Sequence, residues 1–171
     1  DRIYEGGEAL CIHNAATGRE FEIPHIIAKS EGPKRRVVVV GAGAGGLEAA
    51  RVAAERGHQV TILEASSQAG GQVRLATQNP RRKELIGIVD WRLAELDRLG
   101  VEICYDTWAE KDVVLALSPD VVIVATGGLP QNPPLVAGDN LVTSSWDIMA
   151  GSVKPADNVL LYDDNGGHQG M

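Results

Sequence analysis

The sequence predicts an α/β fold with a Rossmann-like, doubly wound parallel sheet. Short apolar runs alternate along the chain with longer segments of helical periodicity, which is the pattern of βαβ units. A glycine-rich segment, 41–46, directly follows the first of these runs. Glu64 closes the second run, about twenty positions after the glycines, which is the spacing of an acidic residue in a dinucleotide-binding unit.

Composition and charge exclude several classes of protein. The 171 residues include 16 basic and 23 acidic side chains, for a formal net charge of −7, which disfavours binding to nucleic acid or to an anionic membrane. No apolar run is close in length to the about 18 residues that a membrane-spanning helix needs. Two cysteines, Cys11 and Cys104, cannot form a disulfide framework, so we expect a reducing, cytoplasmic setting.

Three regions follow one another along the chain. Residues 1–34 show neither strand nor helix periodicity, which predicts an irregular segment and a linker. Residues 35–150 carry the alternating pattern and are predicted to form the nucleotide-binding domain. Residues 151–171 are expected to begin a second, truncated domain. The first residue is not Met and the sequence stops in mid-pattern, so we expect a piece of a longer protein.

The first βαβ unit is predicted over residues 37–63. Residues 37–40 are all valine, which is typical of a strand buried on both faces. A helix over 44–56 carries small residues on one side and ends at Gly57, a residue that stops helices. The second strand is predicted at Gln59–Leu63.

A longer helix is predicted over 82–99, after a loop that extends through Pro80. Apolar residues recur in it at helical spacing and form one stripe, made of Ile86, Val89, Leu93 and Leu96. A strand over 101–104 and a short helix over 111–117 are predicted to follow.

The next predicted strand is Val121–Val124, an uninterrupted apolar run. Ser144 is expected to cap a helical turn that extends to residue 149, because Asp147 stands three positions later. A last strand is predicted over 158–162, with its following helix missing. The prolines after Val121–Val124 enforce a loop; they are Pro130, Pro133 and Pro134.

The segment 41–46 fits the spacing G-x-G-x-x-G, and each glycine has a physical role. Gly41 permits a tight turn, Gly43 lets a pyrophosphate approach the backbone, and Gly46 lets the helix pack closely on the sheet. The helix start offers free N–H groups and a positive dipole end to the phosphates. Cofactor-binding residues are therefore predicted at Gly41, Ala42, Gly43, Ala44, Gly45, Gly46, Glu64 and Ala65.

Glu64 is expected to accept hydrogen bonds from the adenosine ribose. A carboxylate there repels a 2′-phosphate, which argues against NADP. The glycine segment does not distinguish an NAD-dependent dehydrogenase from an FAD enzyme, because both carry it. A short-chain dehydrogenase is disfavoured, since none of the three tyrosines has the required lysine four positions later. The alternative for the glycines is a role in turn geometry alone.

Two further segments resemble the two-dinucleotide-binding-domain flavoproteins. Gly70 and Gly71 follow Glu64 by six and seven residues, and Ala-Thr-Gly ends the 121–124 strand. In that superfamily both segments line FAD. The resemblance therefore implies cofactor contacts at Gly71, Gln72, Ala125, Thr126 and Gly127.

The segment 11–18 points to one family within these flavoproteins. It looks like the segment that carries the fourth cysteine ligand of the four-iron cluster in the dienoyl-CoA reductase and trimethylamine dehydrogenase family, which is related to old yellow enzyme. Those enzymes join an FMN-bearing TIM barrel, a cluster segment, an FAD or ADP domain and a further nucleotide-binding domain. The likeness extends from Cys11 to the last predicted strand and implies that Cys11 is a metal ligand.

The same resemblance implies roles for Arg82 and Trp108. Arg82 would contact a phosphate of the flavin nucleotide, whereas a solvated residue at a helix start is the alternative. Trp108 would present its backbone amide to adenine, and the alternative is an aromatic side chain that fills a groove. The four histidines lack a carboxylate or serine at usable spacing, so no catalytic residue is predicted.

The chain departs from the family pattern in two respects. The other three cluster cysteines and the FMN barrel are absent from these residues, and one thiolate does not hold a cluster that needs four. The run 163–168 is also not a regular G-x-G-x-x-G, which leaves NAD(P) binding by the second domain open.

The function implied is the nucleotide-binding and electron-relay portion of a multi-cofactor NADH:flavin oxidoreductase. FAD, or alternatively ADP, would bind here, and FMN and a 4Fe-4S cluster belong to the intact enzyme. The alternative function is a structural ADP-binding module that conducts no electrons. Expected partners are the remaining domains of the same enzyme, with a homo-oligomer also allowed, and these residues alone are expected to be inactive.

Overall fold

The computed structural model describes residues 6–130 and 136–162. Its centre is a four-stranded, all-parallel sheet in the order β3-β2-β1-β4. The strands are β1 (Arg36–Val40), β2 (Gln59–Leu63), β3 (Glu102–Cys104) and β4 (Val121–Val124). The predicted α/β class with a parallel sheet is therefore confirmed. The order places β1 in the interior of the sheet and β3 and β4 at its edges.

Five α-helices accompany the sheet in the described part of the chain. They are α1 (Ala44–Glu55), α2 (Gln72–Ala76), α3 (Gly87–Arg98), α4 (Lys111–Ala116) and α5 (Ser145–Met149). Ser144 caps α5, because its hydroxyl accepts a hydrogen bond from the Asp147 amide at 3.2 Å, as the sequence predicts. Within the described part of the chain, no helix is long and apolar enough to cross a membrane.

The hydrophobic core lies mainly on one face of the sheet. Alternate residues of β1 point to opposite faces, so Val39 packs with Leu47 of α1 and Leu96 of α3. Val38 faces the other way and packs with Val114 of α4 in a much smaller cluster. Helices α1 and α3 therefore form the main layer, and α4 covers the second face only in part.

The predicted helix over 82–99 differs from the structure at its start. A 3₁₀ turn occupies Pro80–Ile86, and the α-helix begins only at Gly87. The Asn79 side chain caps the turn by accepting a hydrogen bond from the Arg81 amide at 3.0 Å, and proline suits the first helical position because its missing N–H is not needed there. The short helix α2 also lies within the predicted loop.

The predicted strand over 158–162 is wrong. These residues form no strand, and Leu160 and Leu161 are 91% and 67% exposed. A strand needs a neighbour for its backbone N–H and C=O groups, and none lies beside this segment within the described residues. Predictions for Pro133, Pro134, His168 and the run 163–168 fall outside the described residues.

A cluster of charges joins α1 to α3. Glu48 pairs with Arg51 at 2.6 Å and with Arg92 at 2.8 Å, and Arg92 is only 5% exposed. Burial alone would raise the pKa of Glu48, but the hydrogen bonds and charges of the two arginines outweigh it and hold the pKa below its ordinary value. The ion pair between Glu48 and Arg92 thereby links α1 to α3.

We expect the Glu48 cluster to make the stability of the domain depend on pH in acid. Because the pKa of Glu48 is lower in the folded state, its carboxylate stabilises the fold above the ordinary pKa of 4.5, and this contribution is lost as the pH falls through the folded pKa. Urea unfolding at a series of pH values measures the effect. The free energy of unfolding of the Glu48→Gln variant should fall less steeply as the pH is lowered. Parallel curves of unfolding free energy against pH for the two proteins would contradict the prediction.

Candidate nucleotide-binding site

Three loops meet at the edge of the sheet where the parallel strands end. They follow β1, β2 and β4, and comprise residues 41–43, 64–71 and 125–128. The Gly41 amide donates to the Leu63 carbonyl, and the Gly70 amide donates to the Ala42 carbonyl, both at 2.8 Å. Open α/β sheets bind ligands in the crevice outside this edge, at the point where the strand order reverses. Here that point lies at β1, between β2 and β4.

Gly41 and Gly46 are required by the backbone geometry itself. Gly41 has φ +101°, and a Cβ atom there would lie 2.5 Å from the Ala125 carbonyl oxygen. A Cβ atom on Gly46 would lie 1.9 Å from the Gly41 carbonyl oxygen. The first turn of α1 is therefore pressed against the turn that follows β1, which is the close packing expected of these glycines.

Gly43 differs from these two glycines because the space beside it is open. It is the N-cap of α1, with φ −69° and ψ 176°, and no side chain caps the helix. A Cβ atom on Gly43 would meet no heavy atom within 4 Å. The start of α1 thus has no side-chain cap and open space beside Gly43, and no acidic side chain lies in its first turn. This arrangement suits an anion such as a phosphate.

Glu64 lies at the end of β2 and is held by the backbone on two sides. Its carboxylate accepts hydrogen bonds from the Ala42 amide at 2.6 Å and from the Ser66 amide at 2.8 Å. Glu64 therefore fixes the glycine loop, a role that sequence analysis missed. Motif spacing indicates a ligand contact but carries no sign of a hydrogen bond across 22 residues. Ala65, beside it, is exposed.

The glycine pair after β2 meets both of the other loops. Gly43 and Gly70 form a parallel bridge, and Gly70 and Gly71 have φ values of +122° and +49°. The Gln72 side chain donates to the Gly128 carbonyl at 3.3 Å, just after Ala125, Thr126 and Gly127. The structure therefore brings Gly71, Gln72 and the 125–128 loop beside the loop that precedes α1.

Arg74 is a second residue that sequence analysis missed. Its Nε donates to the Ala69 carbonyl, and its side chain lies beneath Gly70, where a Cβ atom would lie 3.0 Å from the Arg74 Cγ atom. Arg74 thereby supports the glycine pair from below. The only sequence signal is an arginine one helical turn after the glycines.

Arg82 and Trp108 lie outside the three loops in sequence, and both side chains are exposed. Arg82 is exposed within the 3₁₀ turn, and its backbone amide donates to the Asn79 carbonyl at 2.9 Å. Trp108 is 75% exposed, so its indole fills no groove within the described residues. The neighbouring Thr107 amide donates to the Glu64 carbonyl at 2.9 Å, which puts the backbone before Trp108 beside the end of β2.

Cys11 lies in the segment 6–34, which contains turns but no helix or strand. Its thiol is exposed, and the His13 amide donates to its Sγ atom at 3.4 Å. Backbone hydrogen bonds from His13 and Asn14 lower the pKa of the Cys11 thiol. Within residues 6–130 and 136–162, no group of three His, Cys, Asp or Glu side chains could hold a metal ion.

Comparison with known proteins agrees with this geometry. The family described as "NAD(P)-binding Rossmann-like domain" matches residues 39–89. The chain is 58% identical over its full length to a probable N-methylproline demethylase of Rhizobium meliloti, and covers 25% of that protein. It is 51% identical to the N,N-dimethylglycine/sarcosine dehydrogenase of Chromohalobacter salexigens, with 95% of this chain and 25% of that protein aligned.

A solved structure is also similar to this chain over part of its length. A 2-naphthoyl-CoA reductase complex superimposes with a TM-score of 0.83 at 37% identity, covering 91% of this chain and 24% of that one. The chain thus spans about a quarter of the length of the relatives it matches, and these relatives are oxidoreductases. The resemblance predicted from the sequence is confirmed. The chain forms a nucleotide-binding, Rossmann-like domain that is similar to about a quarter of an enzyme of the NADH:flavin oxidoreductase family.

Proposed function

We propose that the three loops bind the adenosine diphosphate part of FAD and that the domain relays electrons within a larger oxidoreductase. The observation that carries the proposal is the open start of α1, at Gly43, with Glu64 and the 70–72 segment on either side of it. FAD supplies hydride and single-electron transfer when bound, and the protein contributes binding, orientation and electrostatics. In the intact enzyme, its partners would be a pyridine nucleotide, the iron-sulfur cluster and FMN.

The individual residues would divide the work of binding. First-turn N–H groups of α1, from Ala44 to Gly46, would donate to the pyrophosphate, which Gly43 admits because it has no side chain. The Glu64 carboxylate retains acceptor capacity beyond its two backbone bonds and would accept from the ribose hydroxyls. Ala65, Arg82 and the Trp108 amide stay predictions for further contacts with the nucleotide.

The hydrogen bond from the Gln72 side chain to the Gly128 carbonyl favours FAD over ADP as the ligand. This contact joins the two segments, 70–72 and 125–128, that line FAD in the flavoproteins which this chain resembles. The test is chromatography of the nucleotides released by denaturing the full-length enzyme. FAD in equal amount to FMN supports the proposal, whereas FMN and ADP without FAD would establish the structural ADP module instead.

The domain boundaries are part of the same proposal. The described helices and strands lie between Arg36 and Met149, which supports 35–150 as the nucleotide-binding unit. Residues 1–34 would then link it to the cluster region, and residues 151–171 would lead into the second nucleotide-binding domain.

Removal of the Glu64 carboxylate should weaken nucleotide binding. Hydrogen bonds to a charged group contribute about 1.5–3 kcal/mol, so Glu64→Ala should raise Kd by about ten- to a hundredfold. Isothermal titration with ADP and FAD measures the change. Glu102→Ala is the matched control, since Glu102 is an exposed carboxylate at the opposite end of the strands. A rise in Kd of less than about twofold for Glu64→Ala would place the ribose elsewhere.

We also propose that Cys11 is one ligand of the four-iron cluster, with the other thiolates supplied by residues outside this chain. An exposed Sγ that accepts an N–H hydrogen bond and has a lowered pKa fits a thiolate ligand. Iron content of the full-length enzyme tests this assignment. Cys11→Ser should deplete iron, whereas Cys104→Ser should retain it, because Cys104 packs against the small core of the second face. Full iron occupancy in Cys11→Ser would reject the assignment.

A further inference from the structure

The turn 69–71 borders the space in which the pyrophosphate would bind. A Cβ atom on Gly71 would lie 3.3 Å from the Cα atom of Gly43, so the two backbones are close to contact. The Gly70 amide donates to the Ala42 carbonyl at 2.8 Å. The position of this turn therefore limits the space beside the start of α1.

Two adjacent glycines do not hold such a turn in place by themselves. Gly70 and Gly71 have φ values of +122° and +49°, and glycine loses more conformational freedom on ordering than any other residue. The Arg74 side chain donates from Nε to the carbonyl of Ala69, the residue before the pair. A Cβ atom on Gly70 would lie 3.0 Å from the Arg74 Cγ atom and 3.2 Å from the Val89 Cγ2 atom. The arginine side chain and the buried core of α3 therefore enclose the turn.

The bond from Arg74 depends on the length of its side chain more than on its charge. The donor is Nε, which is the guanidinium nitrogen nearest the backbone. Among residues 6–130 and 136–162, no carboxylate forms an ion pair with Arg74. Arg74 therefore offers two separable properties, which are a donor that orders the turn and a cation able to attract a phosphate.

We propose that Arg74 is a positioning residue of the nucleotide site, which orders the 69–71 turn through its Nε–H group and so prepares the crevice for the flavin nucleotide. A turn that is ordered before binding costs the ligand less free energy to fix, and the affinity is higher for that reason. Arg74 lies in α2, so its bond to Ala69 also ties this helix to the turn before it. The inference rests on the proposed function, since it takes FAD as the ligand.

Two substitutions at this position separate the hydrogen bond from the charge. Glutamine carries its Nε2 donor at the same number of bonds from the backbone as the arginine Nε, but it is neutral. Lysine keeps the charge and has a methylene carbon at that place. We expect Arg74→Lys to raise the Kd for FAD about tenfold or more, and Arg74→Gln to change it by less than about threefold.

The full-length enzyme is dialysed against a series of FAD concentrations, and bound FAD is quantified by chromatography after denaturation. Arg56→Lys is the matched control, because Arg56 is exposed and follows α1 at the opposite end of the strands. This control should bind FAD as the unmodified enzyme does. The urea midpoint without added nucleotide should agree for all three variants, because the turn lies outside the sheet.

Three results would overturn the proposal. An unchanged Kd in Arg74→Lys would show that the Nε–H bond does not prepare the site. Weaker binding in Arg74→Gln would assign the effect to the charge, and a parallel fall in the urea midpoint would assign it to general stability. Absence of FAD from the unmodified enzyme would instead reject the proposed function. The same comparison is then made with ADP, and the same three results apply to Arg74.

Discussion

Replacement of Gly46 by alanine should strongly destabilise the domain. The new Cβ atom would lie 1.9 Å from the Gly41 carbonyl oxygen and 3.3 Å from the Ala125 side chain. Both neighbours belong to the turns that end β1 and β4, and the clash with Gly41 involves backbone that cannot rotate away. Overpacked cores usually lose about 1–3 kcal/mol, and we expect Gly46→Ala to reach or exceed the upper end of this range.

Urea unfolding of the domain measures the effect, with Gly45→Ala as the matched control. Gly45 precedes Gly46 in α1 and is exposed, and a Cβ atom there would meet nothing within 4 Å. Alanine is better than glycine in a helix by about 0.8–1 kcal/mol, so the control should be as stable as the original protein or more stable. Equal stability of the two variants would show that α1 is not pressed against the Gly41 turn.

Replacement of Gly43 by valine should abolish nucleotide binding and leave the fold intact. Open space surrounds the position where the side chain would start, and the backbone has an ordinary extended conformation. The valine would therefore occupy the space in which we propose that the pyrophosphate binds, without disturbing the protein. We expect Kd for FAD or ADP to rise by about a hundredfold or more, which corresponds to about 2.7 kcal/mol.

Isothermal titration measures this loss, and circular dichroism checks the fold. Gly87→Val is the matched control, because Gly87 lies at the start of α3, and a Cβ atom there also meets nothing within 4 Å. This control should bind the nucleotide normally. Unchanged affinity in Gly43→Val would mean that the 41–46 segment serves turn geometry alone.

The sequence was sufficient to predict the strands because their signals are local. The all-valine run before Gly41 and the apolar run Val121–Val124 both form strands of the parallel sheet. The run 158–162 has the same apolar character and fails, since a strand also needs a neighbouring strand, and composition does not report one. Hydrophobic runs thus indicate strand propensity, whereas pairing depends on the surroundings.

The glycine motif predicted the close backbone packing of the 41–46 segment but not the hydrogen bonds that hold the three loops together. Gly41 and Gly46 have the close backbone approaches that their spacing implies. The Ala42 amide donates a hydrogen bond to Glu64, and the Arg74 side chain donates one to the Ala69 carbonyl. The first bond depends on two loops that are distant in sequence, and the second depends on a loop that turns back on itself. Glu64 and Arg74 both form hydrogen bonds with backbone groups. A motif of residue types does not predict such bonds, because any residue can supply the backbone partner.

The central claim, that the crevice before α1 binds FAD, is tested most directly by the ratio of FAD to FMN in the full-length enzyme. Nucleotides released by denaturation are quantified by chromatography for the unmodified enzyme and for Gly43→Val. We predict equal amounts of the two flavins in the former, and FMN with little or no FAD in the latter. An unmodified enzyme without FAD, or a Gly43→Val enzyme that retains it in full, would contradict the account.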